Sequence, residues 1–332
     1  MKKLLVLVLS ALLVMSLVSA AGAQTVLKLA EVHVEGYPTA LADVEFARLV
    51  EERTEGRIKV ETYLGGTLYP TEPASIEALQ LGDLAFTRVS ASPVAQFVPS
   101  INAIQMPYLY KSADHMWAVL NGEIGQTFLN GIEEHPTAGL IGLCYYDAGS
   151  RSFYLTKEVN TKADMAGLKI RVQDNAMMKR MVELLGATPV TGIGPNDVYQ
   201  NIQTGVINGA ENNWPTYQDK GDYEVAKFYI QDQHTRVPEI LLASKAAMAE
   251  LSPEDVAIIR ECAVAVQQYE IEEWAKREAK SEQIVRDAGT TVIELTPEAR
   301  EEFANAMLPL YDEFGAEWME LINQIKDLGK DF

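Results

Sequence analysis

The sequence predicts an α/β protein of two lobes, joined by crossing strands and braced by one long helix. Three observations carry that reading. From residue 26 onward, short apolar strands alternate with amphipathic helical segments, the rhythm of a mostly parallel sheet covered by helices. The 332 residues suggest about two domains yet hold no Gly/Ser linker and no repeat, so the lobes must be joined by strands or helices rather than a tether. Residues 252 to about 288 keep a helical pattern without an internal Gly or Pro. At 1.5 Å per residue that is on the order of 50 Å, longer than one domain needs.

The elements follow in order. The opening MKKLLVLVLSALLVMSLVSAAGAQ has a basic start at Lys2 and Lys3, an apolar run over residues 4–20, and small residues at Ala21-Gly22-Ala23. Residues 1–23 therefore read as a cleaved secretory signal, with an uncleaved membrane anchor as the alternative. VLKLAEVHV (26–34) reads as a strand. A helix opens at Pro38 and Thr39, shows Leu41, Val44, Ala47 and Val50 as its apolar stripe, and stops at Gly56. RIKVETY is the second strand, EPASIEALQLG a helix ending at Gly82, and LAFTRVS the third strand. SADHMWAVLNGEIGQTFLNGIEE is helical and GLIGLCYY a strand. SRSFYLT and GLKIRV are short strands, NAMMKRMVELLG and NDVYQNIQTG helices, and VINGAENN runs from strand into loop. FYIQDQH and EILLASK read as strands crossing between lobes. Ser252-Pro253 caps the long helix, and a last helix starts near Pro297.

Charge and composition exclude several function classes. With 28 Lys+Arg against 47 Asp+Glu the net charge is -19, and loss of Lys2 and Lys3 with the signal makes it -21. Such a surface repels nucleic acid and anionic membrane. Cys144 and Cys262 are the only cysteines, and either pair in an oxidising compartment or serve as plain core. No GxSxG, P-loop, HExxH, EF-hand or metal-ligand cysteine spacing is present. GIGPND (192–197) lacks the third glycine of a dinucleotide loop and reads as a loop and helix cap. His115 and His135 fall at predicted helix ends and read as solvent-facing. A carboxylate-dyad glycosidase stays open, with nothing pointing to it.

What remains is a set of polar residues at strand ends, where open α/β sheets place ligand groups. His33, Arg88, Arg151, Arg171 and the run Glu211-Asn212-Asn213-Trp214 lie there. In GLKIRVQ, Leu168, Ile170 and Val172 alternate as a buried face and Arg171 sits at the inner end. Arginine's planar fork suits a carboxylate, and asparagine suits hydroxyls. An acidic protein repels an anionic ligand at long range, so only a local, partly buried arginine cluster reverses the field. The residues alone leave two readings: arginines that neutralise neighbouring acids, or arginines that hold an anion.

At these residues the chain resembles the DctP family, the periplasmic solute-binding proteins of TRAP transporters. The resemblance spans the mature chain and rests on LVEERTEGRIKV, MPYLY, AGSRSFY, GLKIRVQ, LLGATPV, VYQNIQTGVINGAENNWPTY, and YEVAKFY followed by His234. It implies a two-lobed periplasmic binding protein fold with crossing hinge strands. Residues 24–148 with about 236–260 would form lobe I, residues 149–235 with about 290–332 lobe II, and about 252–288 the helix spanning both. It implies binding of a small organic acid with no catalysis, cofactor or metal, in a monomer in the periplasm that delivers to two membrane subunits driven by a sodium gradient. Arg171 would anchor the carboxylate, helped by Arg151 and Asn212. EVHVEGYPT, EPASIEALQLGDLAFTRVS and GAENNWPTY resemble the branch that binds hexuronates such as D-glucuronate and D-galacturonate. In that branch His33, Glu72, Arg88 and Asn213, with Gln173 as a further candidate, would reach sugar hydroxyls or ring oxygen. A C4-dicarboxylate or other sugar acid is the alternative ligand, and a periplasmic sensor or a uronate-acting enzyme the alternatives of another class. Tyr69-Pro70-Thr71 departs from the family's shorter turn and puts the placement of Glu72 in question. Asn208 stands where Asp is frequent and Asp197 where Glu is. Trp214 is expected in the core and His234 near the hinge.

Overall fold

The computed structural model describes residues 24–332; the expected signal, 1–23, lies outside the described residues. The strands are β1 (Thr25–Ala30), β2 (Ile58–Tyr63), β3 (Phe86–Ser90), β4 (Leu140–Tyr146), β5 (Arg151–Leu155), β6 (Lys169–Arg171), β7 (Thr188–Val190), β8 (Gly209–Asn212), β9 (Phe228–Thr235), β10 (Glu239–Ser244) and β11 (Thr291–Ile293). The helices of six residues or more are α1 (Pro38–Arg53), α2 (Glu72–Leu81), α3 (Ala113–Leu120), α4 (Glu123–Glu134), α5 (Ala176–Leu184), α6 (Val198–Gln203), α7 (Trp214–Asp219), α8 (Pro253–Asp287), α9 (Pro297–Met307), α10 (Pro309–Gly315) and α11 (Met319–Leu328). The segment 112–134, read as one helix, breaks at Asn121-Gly122 into α3 and α4. None of the helices among the described residues is long and apolar enough to cross a membrane.

The strands form two sheets, in the orders β2-β1-β3-β10-β4 and β11-β9-β5-β8-β6-β7. Each sheet is parallel apart from one reversed strand: β10 runs antiparallel to β3 and β4, and β5 antiparallel to β8 and β9. The reason is topological. β5 arrives straight from β4 of the other sheet through residues 147–150, and β10 straight from β9 through 236–238. A parallel partner needs a long crossover connection; a strand delivered directly from the other lobe has none and is reversed. Gly149, in the first crossing, has a left-handed φ of 58° and packs against Glu278 of α8, where any Cβ would clash.

The long helix braces the molecule as expected. Ser252 caps it by accepting from Asp255 N at 3.1 Å, Pro253 opens it, and it runs 35 residues. Its buried side chains enter three separate cores. Ile259, Cys262, Ala263 and Val266 pack with the first sheet, Trp274 packs on Tyr37 and Ala148 between the sheets, and Val285 packs with the second. Each such large apolar side chain contributes roughly 1.5–3 kcal/mol, so the brace is anchored at both ends and the middle. Cys144 and Cys262 share the first-sheet core as free thiols, and burial pushes both thiol pKa values up, which keeps them inert.

Three sequence expectations need correction. α1 buries Thr39, Asp43, Phe46 and Val50; of the expected stripe Val50 is buried and Leu41 and Ala47 are half-buried, but Val44 is 46% exposed. The polar Thr39 and Asp43 disguise the true i, i+4, i+7, i+11 face. His115 is fully buried rather than solvent-facing. Its Nδ1 accepts from Lys111 N at 3.1 Å, and Nε2 reaches Ile325 O at 2.8 Å. The same contact corrects the tail, expected wholly on the second lobe. α9 packs on α5, but α11 packs on α3 and on the 3-10 turn Pro99–Gln105 of the first lobe, with Ile322 and Ile325 buried there. The tail thus serves both lobes.

Candidate functional site

A cleft lies where the two sheets face each other, lined by residues of both. Parallel strands present their carboxyl ends to it: His33 just after β1, Ser90 ending β3, Arg171 ending β6 with Gln173 beyond, and Asn212 ending β8 with Asn213 beyond. The two reversed strands present their first residues instead, Arg151 from β5 and Glu239 from β10. Each crossing therefore delivers one charged side chain, of opposite sign, into the cleft.

The second-sheet wall is cationic. Arg171 is 7% exposed. Its Nε donates to Ile193 O at 3.0 Å, and no other hydrogen bond and no carboxylate partner is found among the described residues. A buried guanidinium with most donors unmade is costly in an apo site and ready for an anion. Arg151 is differently held: Nε donates to Glu211, Nη2 to Glu211 O at 2.7 Å, and Nη1 to Asn212 Oδ1 at 2.9 Å. Burial opposes a charge on Glu211, but Arg151 and His234 bring its pKa down to about 2. His234, fully buried, meets Asp232 at 2.8 Å and stacks on Phe153; although burial disfavours its charge, the two carboxylates raise it to about 9.

The amides are oriented by these bonds. Asn212 Oδ1 accepts from Arg151 and from Asn213 N at 2.9 Å, and Asn213 Oδ1 caps α7 by accepting from Thr216 N at 2.8 Å. Both oxygens are used, which leaves both NH2 groups as donors for the cleft. Gln173 is the converse: its Oε1 is buried without a partner, an acceptor that calls for a donor.

The first-sheet wall is acidic and built on Arg88. That side chain is fully buried and does not line the cleft. Nε donates to Glu31 at 2.7 Å, and Nη1 to Glu72 at 2.8 Å and to Glu239 at 2.5 Å, while Nη2 meets Glu31 and His33. Burial opposes ionisation of Glu31, yet the Arg88 charge beside it holds its carboxyl far below the usual range. Burial lowers His33, and Arg88 lowers it further, to about 4, so the ring is neutral at pH 7. Burial pushes Glu239 up to about 7 despite Arg88. Glu72 Oε1 also accepts from Ser90 N at 3.2 Å; Oε2 has no protein partner among the described residues and is free for the cleft. Tyr37, stacked on His33 at 3.9 Å between centroids, reaches across to Thr216 through a 2.9 Å hydroxyl pair. Asn175 Nδ2 donates to Ser92 O at 2.8 Å. The two walls are thus in contact.

The model of the DctP family, bacterial extracellular solute-binding protein family 7, matches residues 29–317. The chain belongs to the DctP family. A solute-binding protein of Chromohalobacter salexigens is 36% identical over 298 residues, 90% of this chain and 87% of its own. A TRAP periplasmic solute-binding protein of Roseobacter denitrificans, solved with bound β-D-glucuronate, superposes with TM-score 0.86 at 35% identity, covering 91% of this chain and 99% of that one. A Bradyrhizobium protein solved with α/β-D-galacturonate gives TM-score 0.86 at 36% identity, covering 91% and 99%.

Within this DctP protein, the cleft brings together seven of the eight residues singled out from sequence: His33, Glu72, Arg151, Arg171, Gln173, Asn212 and Asn213. Arg88 is the correction. Its donors are spent on the buried Glu31 and Glu239, the half-buried Glu72 and His33, so it holds the wall rather than reaching a ligand. Glu72 lines the cleft despite the unusual turn before it, because Arg88 and Ser90 N fix its carboxylate. Asn208 is structural, its Oδ1 accepting from Lys169 N at 2.9 Å, and Asp197 is the residue before α6. Trp214 stacks on Tyr229 at 3.6 Å and stays out of the cleft. Sequence reasoning missed Glu239, Tyr37 and Thr216. Glu239 had a signal: like Arg151, it is a charge opening an apolar strand that crosses between lobes.

Proposed function

We propose that this protein is the periplasmic solute-binding subunit of a TRAP transporter and captures a hexuronate, D-glucuronate or D-galacturonate, for delivery to two membrane subunits. The carrying observation is Arg171, a buried guanidinium with one hydrogen bond and no carboxylate partner among the described residues, lining the cleft between the sheets. The uronate carboxylate pairs with Arg171 and meets Arg151 and the Asn212 amide. The ring hydroxyls meet the Asn213 amide, Gln173 Oε1, His33 and Glu72. Glucuronate and galacturonate bound in solved relatives support this choice. Closure around the ligand excludes water and strengthens each charge-assisted bond, so ligand selects the closed form. The protein performs no chemistry on its ligand.

The test begins by unfolding and refolding the mature protein to strip carried ligand. Melting temperature is then recorded against D-glucuronate, D-galacturonate, malate, succinate and D-glucose. Ligand that binds only the native state raises it by mass action. A rise with a uronate and none with glucose is expected, with the uronate recovered unchanged. A rise with malate or succinate alone would remove the sugar from the account, and conversion of the uronate would make the protein an enzyme.

A further inference from the structure

The acidic wall opposite Arg171 has a consequence for selectivity. Arg88 is shared among Glu31, Glu72 and Glu239, so one guanidinium faces three carboxyl groups. His33 adds no positive charge at neutral pH. Lys220, the other cation felt at this wall, is tied to Asn196 Oδ1 at 2.9 Å. Across the cleft, Arg151 is matched by Glu211 and His234 by Asp232, which leaves Arg171 as the cation that lines the cleft without a carboxylate partner among the described residues. The cleft is therefore polar end to end: positive at Arg171, negative at Glu72 and, above its pKa of about 7, at Glu239. Glu239 is fixed there on both oxygens, by Ser90 Oγ at 3.0 Å and Arg88 Nη1 at 2.5 Å, and cannot swing away.

We propose that Glu239, together with Glu72, is the specificity-determining element that admits acids with one carboxylate and a hydroxyl-rich far end and rejects dicarboxylates. The proposal rests on the hexuronate reading and deepens it. A ligand seated with one carboxylate on Arg171 turns its far end toward this wall. Hydroxyls there donate to Glu72 Oε2 and gain a charge-assisted bond. A second carboxylate there offers no donor and meets like charge in a water-poor cleft, which is the repulsive half of specificity. Arg88 cannot rescue such a ligand, because it lies behind the two glutamates and its donors are spent.

The experiment is calorimetric titration of the refolded protein at pH 8, where Glu239 is ionised, with D-glucuronate, D-glucarate (the same carbon chain with a carboxylate at each end) and succinate. Wild type, Glu239→Gln and Glu72→Gln are compared, each checked for cooperative unfolding without ligand. Glucuronate should bind at least roughly 100-fold more tightly than either dicarboxylate, and Glu239→Gln should narrow that ratio at least roughly tenfold, about 1.4 kcal/mol. Glucarate within a few-fold of glucuronate in wild type would overturn the proposal. So would a ratio unchanged in both variants while glucuronate still binds, and the hexuronate reading would survive. Tight succinate binding with no uronate binding would overturn both.

Discussion

Arg88 and Arg171 are both buried arginines on strands beside one cleft, Arg88 midway along β3 behind the acidic wall and Arg171 at the end of β6 lining the cleft, and they do opposite work. Arg88 has carboxylates on every side and is fully buried; Arg171 has one carbonyl and is 7% exposed. Burial alone does not distinguish them. The missing partner does: a saturated guanidinium belongs to the fold, and an unsaturated one is reserved for a ligand.

The largest test of that contrast is Arg88→Ala. It leaves the buried Glu31 and Glu239 and the half-buried Glu72 without their cation, and breaking a buried ion pair from one side costs about 3–5 kcal/mol. A matching loss of stability in urea unfolding is expected. Arg171→Ala should do the reverse: stability without ligand changes by less than about 1 kcal/mol, while uronate affinity falls by about 2–5 kcal/mol. A destabilised Arg171→Ala protein, or one that binds normally, would erase the distinction. Smaller and subtler is the pH dependence behind Arg151. His234 has its pKa raised to about 9 by Asp232 and Glu211, against the effect of burial. A folded pKa above the unfolded 6.5 gives stability that is complete below pH 6.5 and is lost as pH rises through 9. The difference in melting temperature between wild type and His234→Asn should therefore shrink between pH 6.5 and 10. A constant difference would remove the ionic role of His234.

The contrast also shows what was legible in the sequence. The α/β rhythm, the 35-residue brace and the strand-end arginines are local patterns, and local patterns survive in a linear chain. The amides of Asn212 and Asn213 were found because they follow a short strand. What escaped depends on partners far away in sequence. Arg88 looked like Arg171 because Glu239 lies 151 residues away and Glu31 57 residues away. His115 looked exposed because the carbonyl that buries it, Ile325, is 210 residues on. The face of α1 was misread because Asp43, buried beside Glu31 with its pKa raised, is a polar residue in a core position. Glu239 escaped because ligand groups were sought where strands end, and a reversed strand presents its beginning.

The central claim is that Arg171 holds a carboxylate, and one pair of ligands isolates that contact. The refolded protein would be titrated calorimetrically with D-glucuronate and with its methyl ester, which keeps every hydroxyl and replaces the charged carboxylate by a neutral ester. The account predicts that the ester binds at least roughly 100-fold more weakly, about 2.7 kcal/mol, and that Arg171→Ala abolishes most of the difference. Equal affinity for the acid and the ester in wild type would contradict it.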